Sequence, residues 1–91
     1  MTNKFNYQRV EIIWLDICNA DGAWLTEAEV LNHTLAECTS VGFLFSKTRN
    51  TVKIFSSWSY NKDHSIDFAD VVAIPTAAIK SITVIWHLQI K

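Results

Sequence analysis

The stretch SVGFLFSKTRNTVKIFSSWSY, residues 40–60, decides how this chain is to be read. From Val52 onward one alternating face carries Val52, Ile54, Ser56, Trp58 and Tyr60, large at every position but Ser56, which is the spacing of a strand and not of a helix. KTRNT interrupts the apolar pattern with turn formers, among them Asn50, a residue that tolerates positive φ. Two strands joined by a short turn follow from this. Gly42 lies inside the first of them, where glycine marks a sharp bend or a close approach of backbone.

Working outward, VEIIWLDI (10–17) is rich in β-branched and aromatic residues on both alternating faces, as expected of a strand covered on both sides. It ends at the turn NADG. Thr26 and Glu29 have the spacing of a capping box, with Leu25 and Val30 placed for a hydrophobic staple. A short helix over 27–36 is predicted, with Val30, Leu31 and Leu35 facing inward. Downstream, DVVAIP and SITVIWHLQI read as further strands. The last one alternates Ile82, Val84, Trp86, Leu88 and Ile90 against Ser81, Thr83, Ile85, His87 and Gln89. Between them PTAAI has the length of one helical or 3₁₀ turn opened by its proline. The expected fold is mainly β: a small, strongly bent five-stranded barrel of the SH3-like or Sm-like kind, with one short α-helix inserted after the first strand. An open five-stranded sheet with the helix on one face is the alternative.

A chain of 91 residues makes one domain, 1–91, near the lower size at which a single hydrophobic core suffices. Hydrophobic residues make up 49%, including four Trp and five Phe, which is more than so small a body hides from water, so self-association is expected. The formal charge of -1 removes the simplest route to nucleic acid, a strongly basic domain. Cys18 and Cys38 have no CxxC partner and read as isolated reduced core cysteines, with a disulfide between them as the lesser alternative. MTNKFNYQRVEI lacks a signal-peptide run and nothing approaches a membrane span, so a cytoplasmic protein is expected.

The candidate ligand-binding residues cluster first in SSWSYNKDHSID (56–67), where Trp58 and Tyr60 are followed by Lys62 and His64. Aromatic faces stack on bases and nearby cations attract phosphate. The plainer account makes the two rings an extension of a core stripe, and a third makes them anchors of a protein interface. Arg49, with Lys47, Lys53 and Lys62, adds a local positive rim. Asp16, between Trp14 and Trp24, reads as a cap on free amides or as a ligand-facing acceptor. His33, His64 and His87 have no metal-site spacing, and no GxSxG, P-loop or GxGxxG occurs. No enzyme, cofactor or metal is expected.

The pattern S-V-G-F-L-F from Ser40 to Phe45, a hairpin into V-K-I-F, then V-A-I-P-T-A-A-I-K-S-I, resembles the Sm-like fold family. The chain is also similar to short uncharacterised bacteriophage-encoded proteins that share a W-x-D strand (Trp14, Asp16), a following tryptophan (Trp24) and the S-V-G and I-P segments. These resemblances imply a ring or other symmetric homo-oligomer with ligands at its pore or seams, working in the host cell cytoplasm if phage-encoded. The family places its helix before the first strand, whereas here it comes after, and its base-gripping loop motifs have no counterpart. Taken together, the expectation is a non-enzymatic oligomeric module that binds RNA or a small nucleotide, with sequestration of a host nucleotide signal as one use in the phage case. A protein-interaction or assembly adaptor using edge strands and exposed aromatics is the alternative.

Overall fold

The computed structural model describes residues 6–20, 22 and 24–85. It is mainly β, with seven strands in two antiparallel sheets and one short helix. In chain order the elements are β1 (Arg9–Asp16), α1 (Glu27–Asn32), β2 (Ala36–Lys47), β3 (Thr51–Phe55), β4 (Ser57–Tyr60), β5 (Ile66–Ala69) and β6 (Val72–Pro75). A 3₁₀ turn (Thr76–Ala78) then leads to β7 (Ile79–Val84). The larger sheet runs β6-β3-β2-β1-β7 and the smaller is the ribbon β4-β5. No described helix is long and apolar enough to cross a membrane.

β2 is the backbone of the fold because two neighbours divide it. Its first part pairs with β1, from Asp16↔Ala36 to Arg9↔Phe43, and its second part pairs with β3, from Phe43↔Phe55 to Lys47↔Val52. Gly42 stands at the handover and is buried. A Cβ there would meet the Phe55 carbonyl oxygen at 3.0 Å and Ile54 Cδ1 at 3.2 Å, so the glycine is required by the approach of β3. The sequence reading of Gly42 therefore holds in its physical reason. The turn after β2 is closed by Thr48, whose Oγ1 accepts from the amides of Asn50 (3.2 Å) and Thr51 (3.0 Å). Asn50 does not adopt positive φ; among non-glycine described residues His64 and Asp70 do.

The aliphatic core consists of Val10, Ile12, Val52, Ile54 and Ile74, with Trp14, Leu44, Ile79 and Ile82 packed against it. Ile74 comes from one edge strand of the sheet and Ile79 and Ile82 from the other, so the sheet is curled enough for both edges to share one core. The 3₁₀ turn that links those edges is tied down by Thr76, which donates its amide to Asn50 O and its hydroxyl to Thr48 O, both at 3.0 Å. Among the described residues no ladder joins β6 to β7, so by hydrogen bonding both sheets are open, and there are seven strands in two antiparallel sheets where five were expected.

Three further expectations are corrected. The capping box is present, with Glu29 N donating to Thr26 Oγ1 (3.2 Å) and Thr26 N to Glu29 Oε1 (2.9 Å), but the helix ends at Asn32. Val30, Leu31 and Leu35 are exposed and α1 buries none of its residues, because no element among the described residues covers it. The run TVKIFSSWSY is two strands, since the ladder is interrupted at Ser56. Cys18 and Cys38 are free thiols, but Cys18 is exposed and Cys38 only half-buried. The face proposed for Trp86, Leu88 and Ile90 lies outside the described residues.

Candidate functional site

Residues 51–75 are one long hairpin with a joint in the middle. The proximal pairs, Thr51↔Pro75 to Ile54↔Val72, continue in the same register as the distal pairs, Ser57↔Ala69 to Tyr60↔Ile66. The joint falls between them, where Asp70 has φ 57° and its Oδ2 accepts from Ser57 Oγ at 2.7 Å. Left-handed backbone costs any residue with a Cβ, although aspartate tolerates it better than most, and this short hydrogen bond helps hold it.

The joint carries the ribbon onto the sheet. Leu44 and Ile54 pair and face the aliphatic core, so the neighbouring pair Phe43 and Phe55 faces the other way. Between Leu44 and Ser46 the register slips by one, leaving Phe45 as a bulged residue; bulges re-aim side chains in this manner. Tyr7, Phe43, Phe45 and Phe55 thereby make an aromatic patch, and the ribbon's directly paired Trp58 and Phe68 cap it. Trp58 meets Phe43 edge-on at 5.2 Å, Phe68 meets Phe55 at 4.7 Å and Phe45 at 5.1 Å, and only Phe55 of the set is fully buried. Edge-to-face pairs at these separations contribute about 0.5–1.5 kcal/mol each beyond area burial. Beside the cluster lies a cavity of about 230 Å³ lined by Phe45, Lys53, Phe55, Phe68 and Val71, an apolar recess with one cation at its wall.

The sequence-derived candidates are not gathered in one place. Trp58 is 38% exposed and Tyr60 48% exposed on the ring-bearing face of the ribbon, with Trp58 partly spent on Phe43 and Phe55. Lys62 and His64 sit in the loop at its tip. There the His64 amide donates to Asn61 O (3.0 Å) and His64 takes φ 72°, a tight turn followed by a left-handed residue. Asp63 accepts from the hydroxyl and amide of Ser65, and these bonds hold its carboxyl below the usual carboxylate value. Arg49 is at the opposite end of β3, on the order of 20 Å from the ribbon's root at the rise of a strand. Asp16 ends β1 far from Arg9, which is the residue that pairs with Phe43, and its Oδ1 accepts from the Ile17 amide at 2.8 Å. That is a local cap, so the plainer reading of Asp16 applies.

Sequence reasoning missed Phe45, Phe55, Phe68 and Val71 as site residues and took Lys53 only as part of the positive rim; together these five line the cavity. The signal available was the Ile66, Phe68 alternation opposite Trp58 and Tyr60, visible once the loop between them is recognised. A second surface also went unread. Ile17 (76% exposed), Trp24 (99%) and Leu31 (78%) stand out from the segment between β1 and β2, with Leu25, Val30 and Leu35 also exposed. His33 Nε2 lies 2.6 Å from the Cys18 carbonyl and is the visible tie between the two ends of that segment. Among the described residues no group of three His, Cys, Asp or Glu side chains is placed to hold a metal ion. In comparisons with known proteins, no family model, curated protein or solved structure matches the chain.

Proposed function

We propose that this protein is a non-enzymatic interaction and assembly module that joins copies of itself. Its framework is read as a small barrel of the SH3-like or Sm-like kind. That reading is supported by the strand order β6-β3-β2-β1-β7, with the two edge strands linked through one 3₁₀ turn and sharing one core. The observation that carries the functional reading is the segment 17–35, where Ile17, Trp24, Val30, Leu31 and Leu35 are exposed together. A six-residue helix has too few hydrogen bonds to stand alone in water, and its stability must come from packing of its apolar residues. Among the described residues it has no such packing, and on this reading an assembly supplies it.

A second reading keeps a small nucleotide or RNA as ligand, and one observation favours it: Lys53 on the wall of a cavity lined by the rings of Phe45, Phe55 and Phe68. A base stacked on an aromatic face gains about 1–3 kcal/mol, and a single cation suits a compact nucleotide better than a long polyanion. On either reading the protein works in a cytoplasm, the host's if the phage resemblance reflects descent.

Size-exclusion chromatography with light scattering, over a wide concentration range, tests the first reading. A mass above that of one chain, rising with concentration, is expected. A single-chain mass throughout overturns it. A nucleotide found by mass spectrometry to travel with the purified protein, and a melting temperature that rises with added nucleotide but not in Lys53→Gln, would transfer the conclusion to the second reading.

A further inference from the structure

Charge is segregated along this chain in a way that its total of -1 conceals. Residues 10–46 contain six carboxylates, Glu11, Asp16, Asp21, Glu27, Glu29 and Glu37, and no lysine or arginine. Residues 47–62 contain four cations, Lys47, Arg49, Lys53 and Lys62, and no carboxylate. The acidic run includes the exposed apolar segment 17–35, and the basic run includes β3 and β4, which bear the ring cluster and one wall of the cavity. Three carboxylates follow, and they lower this positive charge without reaching the cavity wall, where Lys53 is the charged lining residue. Asp67 pairs with Ser59 and so points to the face opposite Trp58 and Phe68, while Asp63 keeps its charge at the ribbon's tip and Asp70 carries its own at the joint with Ser57.

Building on the assembly reading, we infer that the acidic apolar segment of one copy docks on the basic aromatic face of a second copy, with Trp24 as anchor and the cavity between Phe45, Lys53, Phe68 and Val71 as its receptor. Both surfaces have what the other lacks. The segment offers a fully exposed indole and a helix with Glu27 and Glu29 in its first turn. The face offers an unfilled apolar recess, with half-exposed Phe45 and Val71 at its mouth and Lys53 beside them. Aromatic anchors seated in pockets with complementary charge around them are the usual energetic centre of an interface. The two surfaces belong to different ends of the fold. The segment leaves the sheet at the Asp16↔Ala36 pair, and Phe45 lies nine residues further along β2, on the order of 30 Å at the rise of a strand before the bend is counted. A contact of this kind made once between each pair of copies is head-to-tail, and it closes into a ring or continues as an open chain according to the angle between copies.

A head-to-tail contact has a signature that a two-fold symmetric one lacks. Trp24→Asp removes the anchor and keeps the receptor, and Val71→Asp spoils the receptor and keeps the anchor. Both positions are exposed, 99% and 55%, so both variants are expected to fold, which circular dichroism and melting check. At a concentration where the parent chain is multimeric, each variant alone is expected to give the mass of one chain by light scattering. Their equimolar mixture is expected to give the mass of two chains and no more, since one intact contact is restored and neither free end can continue. Lys53→Glu should weaken self-association at least tenfold, and Lys53→Glu mixed with Glu27→Lys should recover part of it. If the parent is multimeric and both aspartate variants keep its mass, this interface is wrong while the assembly reading stands. Variants that are monomeric and remain so when mixed also overturn it. A parent that is monomeric at every concentration removes both.

Discussion

Gly42→Ala is the most informative single change, because everything described depends on how β3 crosses β2. The added methyl would sit 3.0 Å from the Phe55 carbonyl oxygen, 3.2 Å from Ile54 Cδ1 and 3.3 Å from Ile54 Cβ. The side-chain atom can shift at small cost, but the carbonyl is part of the backbone at the point where β3 turns toward the ribbon. Gly42 is outside the left-handed region, so alanine has no dihedral penalty, and steric crowding is the whole of the unfavourable effect. Overpacking by one methyl in a tight site costs about 1–3 kcal/mol. Alanine returns about 0.4–1 kcal/mol by restricting the unfolded chain. The net expectation is a loss of about 1–2 kcal/mol, which at a slope of ~1–3 kcal/mol per molar urea lowers the unfolding midpoint by roughly 1 M. Urea denaturation followed by tryptophan fluorescence measures it, and an unchanged slope shows that the folded and unfolded states remain as compact as before. Because Phe55 is also the central ring of the aromatic cluster, near-ultraviolet circular dichroism should change together with stability. A Gly42→Ala protein with the parent's midpoint, or a higher one, would refute the claim that backbone contact at this position sets the bend.

Other positions respond in different directions. His64→Gly relieves the left-handed backbone at φ 72° and should raise stability by about 0.5 kcal/mol after glycine's own entropic cost, read as a small rise in melting temperature. Trp14→Phe removes the indole donor to Ser40 Oγ (3.0 Å) and should cost about 1 kcal/mol, whereas Ser40→Ala added to it should cost much less than Ser40→Ala in the parent, a coupling measurable by a double-mutant cycle. Glu29 titrates below its ordinary value because the Thr26 amide and hydroxyl favour its charged form, so the capping contribution is complete above the unfolded carboxyl's pKa and disappears as pH falls through the lower folded one. Nuclear magnetic resonance titration of the Thr26 amide should follow that lowered pKa, and Thr26→Ala, which keeps the amide and loses the hydroxyl, should return Glu29 part of the way to the normal range.

What could be read from the sequence was what depends on near neighbours or on a residue type with one physical meaning. Thr26 and Glu29 are three positions apart and find each other without the rest of the fold. Gly42 has no side chain, and a buried strand interior seldom omits one without a reason. Pro75 opening a 3₁₀ turn is equally local. The joint at Ser56 and Asp70 was not legible, because alternation runs unbroken through it. Only an aspartate in a conformation uncommon for its type turns the ribbon, and its partner Ser57 is thirteen residues away. The inward face assigned to Val30, Leu31 and Leu35 failed for a related reason. Periodicity states that a helix has an apolar side, but not that the same chain contains something to lay against it. Arg49 and Asp16 were grouped with the ribbon by chemical type, and pairing register separates them.

The distribution of apolar residues leads to a statement about strength of association. The sheet is apolar on both faces: curling covers one with its own edges, and the ribbon covers part of the other, leaving Phe45, Tyr60 and Val71 partly bare. Ile17, Trp24, Val30, Leu31 and Leu35 add a second uncovered set. Full burial of a large apolar side chain is worth about 1.5–3 kcal/mol, so these five could supply on the order of 10 kcal/mol before costs. Loss of translational and rotational freedom alone removes about 4–15 kcal/mol. Apolar burial by the segment, the Trp24 anchor included, therefore comes close to cancelling that cost, and the balance falls to how completely the anchor fills its recess and to the opposed charges around it. A contact poised in this way should form at high local concentration and respond to single substitutions at Trp24, Lys53 or Val71. It should weaken with salt to the extent that Glu27 and Lys53 act across it. Salt that leaves the assembly unchanged while Trp24→Asp abolishes it would assign the balance to the indole alone.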